Sequence, residues 1–134
     1  EIEGAAAAMK EIYGRPPMLL RPPYGSHNKA SDEIAAKANM AVIQWSVDTN
    51  DWKTKNTMST EAAASAAKPN DIVLMHDIHE STVAAAPNII HDLTTKGMTL
   101  VTVSELSLNS GGYEAGHGYC SNVAQKQSGF GCTG

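Results

Sequence analysis

No apolar run in the 134 residues approaches the roughly 20 that a membrane-spanning helix needs, so no membrane partner is expected. Positive charge is not in excess either. Ten Lys and Arg against fourteen Asp and Glu give a formal net charge of −4, which removes the electrostatic case for nucleic acid or an anionic lipid surface. There is no C-x-x-C pair for metal or redox chemistry. Neither G-x-G-x-x-G nor G-x-x-x-x-G-K-[ST] occurs, so a nucleotide cradle has no support. Asp-Asp is absent, and no two histidines are separated by three residues. A signal peptide is lacking too: EIEGAAAAMKEIYG is acidic at its start and reads as the middle of an amphipathic helix. The chain is therefore expected to begin inside a larger protein.

What is present suits one globular domain: 42% hydrophobic and 18% charged residues. Cys120 and Cys132 lie close together in a Gly- and Ser-rich tail, a setting for a local disulfide and hence for secretion.

Along the chain, Ile2, Ala5, Met9, Ile12 and Tyr13 fall at helical spacing, with Gly14 and Pro16 as stop signals. A short apolar run, Met18-Leu19-Leu20, reads as a strand. Asn28 caps a helix from about Lys29 to Asn39, with Ala30, Ile34 and Ala38 on one face. Residues 41–45 form a second strand and lead into a loop, SVDTNDWKTKN. An alanine-rich helix covers Glu61 to Ala67. Ile72 to Met75 is a third strand. Residues 82–96 form a fourth helix facing inward through Val83, Ala86, Ile90 and Leu93, and Met98 to Val103 a fourth strand. Beyond Ser107 periodicity vanishes, so residues 1–106 read as the domain and 107–134 as a loop-rich tail. Alternating helices and strands predict α/β architecture with parallel strands and helices outside. Runs such as IVLM, apolar throughout, suit strands covered on both faces.

In such folds chemistry gathers at the C-terminal ends of strands. Three polar stretches fall there: RPPYG, DTNDW and HDIH. The first is the stiffest. Its prolines fix φ and remove donors, so Arg21 and Tyr24 ride on a rigid loop.

Arg21-Pro22-Pro23-Tyr24, Asp48-Thr49-Asn50-Asp51-Trp52 and Leu74-Met75-His76, in this order and spacing, resemble the third, fourth and fifth signature motifs of NodB-type polysaccharide deacetylases, carbohydrate esterase family 4. The resemblance covers residues 1 to about 106. It implies the C-terminal half of a distorted (β/α) barrel that removes acetyl groups from chitin or chitooligosaccharide, peptidoglycan or acetyl-xylan. It implies a divalent metal, commonly zinc, held by an Asp and two His, with a second Asp as general base. Those ligands belong to an Asp-Asp pair and an H-[ST]-x-x-H motif that this sequence does not contain. So no metal ligand is expected in this chain, and an N-terminal half of the same protein is the expected partner. A complete barrel needs about 250 residues, which agrees.

By the same resemblance His76 is the general acid that protonates the leaving group, a role suited to imidazole. Asp51 orients it. Arg21 pairs with the base carboxylate of the missing half. Tyr24 gives its backbone N–H to the oxyanion and its ring to the sugar site. Trp52 and Leu74 wall a small pocket for the acetyl methyl. Asp48 reads as an Asx-turn acceptor. A reading from another class is a non-catalytic carbohydrate-binding remnant of the same fold.

Overall fold

The computed structural model describes residues 1–121. Helix α1, Ile2–Tyr13, ends where Gly14 takes a left-handed conformation (φ 73°) and donates its N–H to Lys10 O. Strand β1 is Leu19–Leu20. A 3-10 turn, Pro23–Gly25, leads to helix α2, Lys29–Lys37. There the Asn28 side chain accepts from Ser31 N–H, while the Ser31 hydroxyl accepts from Asn28 N–H, so each satisfies an orphan donor of the other. Strand β2, Ala41–Ile43, and strand β3, Val47–Asp48, follow, then helix α3, Asp51–Thr54, and helix α4, Thr57–Ser65, capped by Asn56. Strand β4, Val73–Leu74, precedes the longest helix, α5, Glu80–Thr95. Helix α6, Val103–Leu108, and strand β5, Gly118–Tyr119, complete the described chain.

Among the described residues, each pair of strands from β1 to β5 that shares hydrogen bonds is parallel. β2 lies between β1 and β5, with Leu19 opposite Ala41, Leu20 opposite Val42, and Ile43 opposite Tyr119. β3 pairs with β4, setting Val47 beside Val73 and Asp48 beside Leu74. Parallel strands with helices packed on them give the α/β architecture that the alternating pattern predicts. Apolar side chains gather in three places. Ala64, Ala85, Ile89 and Leu93 join α4 to α5, Ile43, Ile72 and Tyr119 pack together with Val103 and Leu106 of α6 against them, and Ala35, Met40 and Val42 form a third cluster at α2 and β2.

Several local expectations give way to tertiary packing. In α5 the buried residues are Thr82, Ala85, Ile89 and Leu93, whereas Val83 and Ile90 are exposed. The face is rotated by one residue, because α5 docks on α4 through Ala64 and because Thr82 has an acceptor inside. In α2 the buried residue is Ala35, and Ile34 is exposed. The alanine-rich helix begins earlier than Glu61, at Thr57, where Asn56 supplies the cap. The stretch SVDTNDWKTKN is not all loop, since it contains β3 and α3.

The expected strand from Met98 to Val103 does not form. Residues 98–102 are irregular, and Thr102 with Glu105 instead builds a capping box that starts α6 at Val103. A strand needs a ladder partner, and no described strand pairs with this segment. It borders an open groove of about 400 Å³ lined by Ile72, Met75, Ile89, Ile90, Met98 and Val101. Conversely, β5 arises within the stretch read as a loop-rich tail. Tyr119 stacks on Tyr113 at 4.2 Å between ring centroids, and its hydroxyl accepts from Glu114 N–H. The expected Cys120–Cys132 pair depends on Cys132, which lies outside the described residues.

Candidate active site at the strand ends

Asp51 is completely buried and accepts four hydrogen bonds. His76 N–H reaches Oδ2 at 2.6 Å and the Thr82 hydroxyl reaches it at 2.8 Å. His76 Nδ1 meets Oδ1 at 2.7 Å, and Trp52 N–H meets it at 2.9 Å. Burial works to raise the pKa of this carboxyl. The His76 ring, the His76 N–H, the Thr82 hydroxyl and the Trp52 N–H outweigh burial and lower it to about 2. Asp51 is therefore an anion at any ordinary pH. A carboxylate against Nδ1 fixes the proton there and leaves Nε2 for other chemistry. The His76 side chain is 26% exposed, so it is open on one side.

The local sequence explains how this pair is set. Parallel pairing of β3 with β4 puts Asp48 beside Leu74, and the Thr49 hydroxyl donates to Leu74 O at 2.8 Å. Asp48 Oδ1 accepts from Asn50 N–H, the expected Asx turn. Asn50 takes a left-handed conformation (φ 51°), which turns the chain into α3 and buries its first residue, Asp51. From the other strand, His76 follows β4 by two residues. His79 is the N-cap residue of α5, with its ring centroid 6.5 Å from that of His76. Thr82 is in the first turn of α5, which brings its hydroxyl to Asp51.

The second part of the site follows β1. Tyr24 has a left-handed backbone (φ 59°, ψ 13°), uncommon for a non-glycine and costly for a bulky one. The turn is closed by Gly25 N–H to Pro22 O and Ser26 N–H to Pro23 O, both 3.0 Å. Neither bond uses the Tyr24 N–H. The Tyr24 ring is 97% exposed and so packs on nothing described. Gln44 Nε2 donates to Gly25 O at 3.0 Å, and the Arg21 guanidinium carbon lies 5.4 Å from the centre of the Trp45 ring. Next along the chain, His27 Nδ1 pairs with Asp32 at 2.9 Å.

The structure thus joins Asp51 to His76 directly, with the Trp52 backbone in the same network and Leu74 on the adjoining strand. The Trp52 side chain is half exposed. Arg21 and Tyr24 lie in the loop that follows β1 of the other sheet, and none of the described contacts links them to Asp51 or His76. Three residues escape sequence reasoning. Thr82 carries no motif signal beyond helical spacing from His79. Gln44 and Trp45 read as ordinary strand residues, and only the close approach demanded by Gly25 could point to them. Among the described residues no group of three or more His, Cys, Asp or Glu side chains is clustered to hold a metal.

Known proteins with similar sequence and structure agree on one family. The family model described as polysaccharide deacetylase matches residues 1–43. The peptidoglycan-N-acetylglucosamine deacetylase PgdA of Listeria monocytogenes is 42% identical over 91 residues, 67% of this chain and 19% of that protein. A solved structure described as T48 deacetylase with substrate superposes with a TM-score of 0.78 at 38% identity, covering 89% of this chain and 58% of that one. The Xyl-CE4 domain of a multidomain xylanase, from the hindgut metagenome of Trinervitermes trinervoides, gives a TM-score of 0.81 at 30% identity, covering 93% and 62%. The chain therefore spans about a fifth of the curated relative and about three fifths of the solved ones.

Proposed function

The chain belongs to the polysaccharide deacetylases of carbohydrate esterase family 4, and from that premise we propose that it supplies the acid, oxyanion and acyl-pocket side of a site that hydrolyses acetyl groups on a polysaccharide. The reaction adds water across an N- or O-acetyl bond, releasing acetate and a free amine or hydroxyl. His76 would deliver the proton that the leaving nitrogen or oxygen needs, from Nε2, while Asp51 holds Nδ1 and stabilises the positive ring. The Tyr24 N–H, left outside the turn's own hydrogen bonds, is a preorganised donor for the developing oxyanion. Arg21 would hold the general-base carboxylate ionised, and Trp52 and Leu74 would bound the acetyl methyl.

Among the described residues none are grouped to fit the metal that the family's chemistry implies. In this reading the divalent metal, zinc by the resemblance, and the base belong to the rest of the protein, and this chain's share of the chemistry is acid, donor and pocket. The polymer is peptidoglycan, acetyl-xylan or chitin-like. Relatives named for peptidoglycan deacetylation and for a xylanase both match, which supports either polymer as the substrate. Such polymers lie outside the cell, so the protein is proposed to be secreted, with Cys120 and Cys132 paired. Intact mass measured with and without reductant would detect that pair as a gain of two hydrogens.

The observation that carries the proposal is the buried Asp51 carboxylate gripping a half-open His76. The test uses the full-length protein and acetate release from acetylated chitooligosaccharide, peptidoglycan fragments and acetyl-xylan. His76→Ala is expected to lower kcat by about 100-fold or more while oligosaccharide affinity stays within a few fold. Unchanged turnover in that variant would overturn the acid assignment.

A further inference from the structure

Trp45 has its root in the core and its tip in the site. It follows β2 by two residues and packs on the cluster of Ala41, Ile43, Ile72 and Tyr119. Two independent contacts leave from its ring. The guanidinium of Arg21 lies over it, 5.4 Å from the ring centre. Its Cη2 atom stands 2.8 Å from where a Cβ on Gly25 would be, and Cζ3 stands 3.3 Å from that point. The neighbouring Gln44 side chain closes the same spot, with Oε1 2.8 Å from that Cβ position and Nε2 donating to Gly25 O. So one indole touches both ends of the Arg21–Gly25 loop, and only a glycine fits between the loop and the strand beneath it.

We propose that Trp45, seconded by Gln44, is a positioning residue for Arg21 and for the Tyr24 N–H. The physical argument has two parts. A guanidinium is planar and weakly hydrated, so it rests favourably on an aromatic face, where an ammonium or an aliphatic support would not reproduce the geometry. Tyr24 is held in a left-handed conformation, and such a backbone persists only where surrounding contacts over-determine it. The ring edge and the Gln44 hydrogen bond supply those contacts on the underside of the turn, while the prolines stiffen it from within.

A mere core filler at position 45 would need apolar volume alone. A brace needs a flat π face. Trp45→Met keeps volume without the face, and Trp45→Phe keeps a face with less volume. The inference rests on the deacetylase reading for its kinetic readout, so the test carries a second readout that does not. In the full-length protein Trp45→Met is expected to lower kcat about tenfold with KM within about twofold, and Trp45→Phe to retain most of the rate. Both variants should lose similar thermal stability. Independently, the Arg21 Nε–H resonance in 15N-arginine-labelled protein is shifted by the indole ring current, and that shift should vanish in Trp45→Met and be partly kept in Trp45→Phe. Equal kinetic loss in the two variants, or an Arg21 resonance indifferent to both, overturns the brace. If the unmodified protein releases no acetate from any of the three substrates, the deacetylase reading fails, and the Arg21 resonance alone decides the brace.

Discussion

Asp51 keeps its charge although it is buried, because four donors stand in for hydration. The depression of its pKa is therefore also a term in folding. A carboxyl held at about 2, against an ordinary value of 3.8, stabilises the folded state by about 2 kcal/mol. The sign follows from the depression: the contribution is whole above about pH 4 and is lost as pH falls through about 2. Acid unfolding of the full-length protein, followed by circular dichroism, should show it. Thr82→Val leaves a methyl group against an ionised oxygen. It is expected to cost about 2 kcal/mol in urea melts at neutral pH and to move the acid transition upward. An acid transition that stayed in place would mean that the Thr82 hydroxyl does not stabilise the anion. Only part of this was legible residue by residue. The motif names Asp51 and His76, but the third partner, Thr82, is recruited by the fold.

At the scale of elements, short parallel strands do the positioning, and their ends are defined by single residues. Gly25 shows how narrow the tolerance is. Its φ is 66°, and any Cβ would meet Gln44 and Trp45. Gly25→Ala is expected to disturb the turn with little effect on the distant helices, read as lost acetate release with far-ultraviolet circular dichroism preserved. β5 offers a second test. Tyr119 is buried against Ile43 and Ile72 and stacked on Tyr113, so Tyr119→Ala should destabilise by about 3 kcal/mol in thermal or urea melts. An unchanged melting temperature would mean that the segment after α6 is not part of the core. Sequence periodicity located most helices but set two of their faces one residue off. Periodicity reports which residues can share a face, and the neighbour that arrives decides which face is buried. The strand expected at Met98–Val103 is the same lesson from the other side, since β-forming composition without a ladder partner makes no strand.

Across the whole molecule, apolar surface remains uncovered. Met9, Ile12 and Tyr13 on α1 face outward, as do Leu100 and Val101 beside the apolar groove. Exposed faces of this extent favour association over a stable monomer. The 134-residue chain alone is expected to melt without a cooperative transition and to bind a hydrophobic dye before heating, whereas the chain together with the N-terminal half proposed above should melt cooperatively. A sharp, dye-free transition of the 134-residue chain would show that its core suffices.

The sequence by itself determined the α/β class, helices α1, α2, α4 and α5, strands β1, β2 and β4, the three polar loops at strand ends and, through the family resemblance, the contact of Asp51 with His76. Those follow from local signals: proline and glycine punctuation, caps such as Asn28, apolar runs, and a family motif carried intact. Only the tertiary structure decided that Thr82 completes the buried carboxylate's shell and that Trp45 lies under Arg21 and Gly25. It also placed Tyr119 in the core, although the residue sits in a glycine-rich stretch. Thr82 and Asp51, Trp45 and Arg21, and Trp45 and Gly25 are each separated by twenty or more positions in the chain, and Tyr119 meets Ile43 and Ile72 across a wider gap still, so these contacts are set by distances and directions that no periodicity encodes.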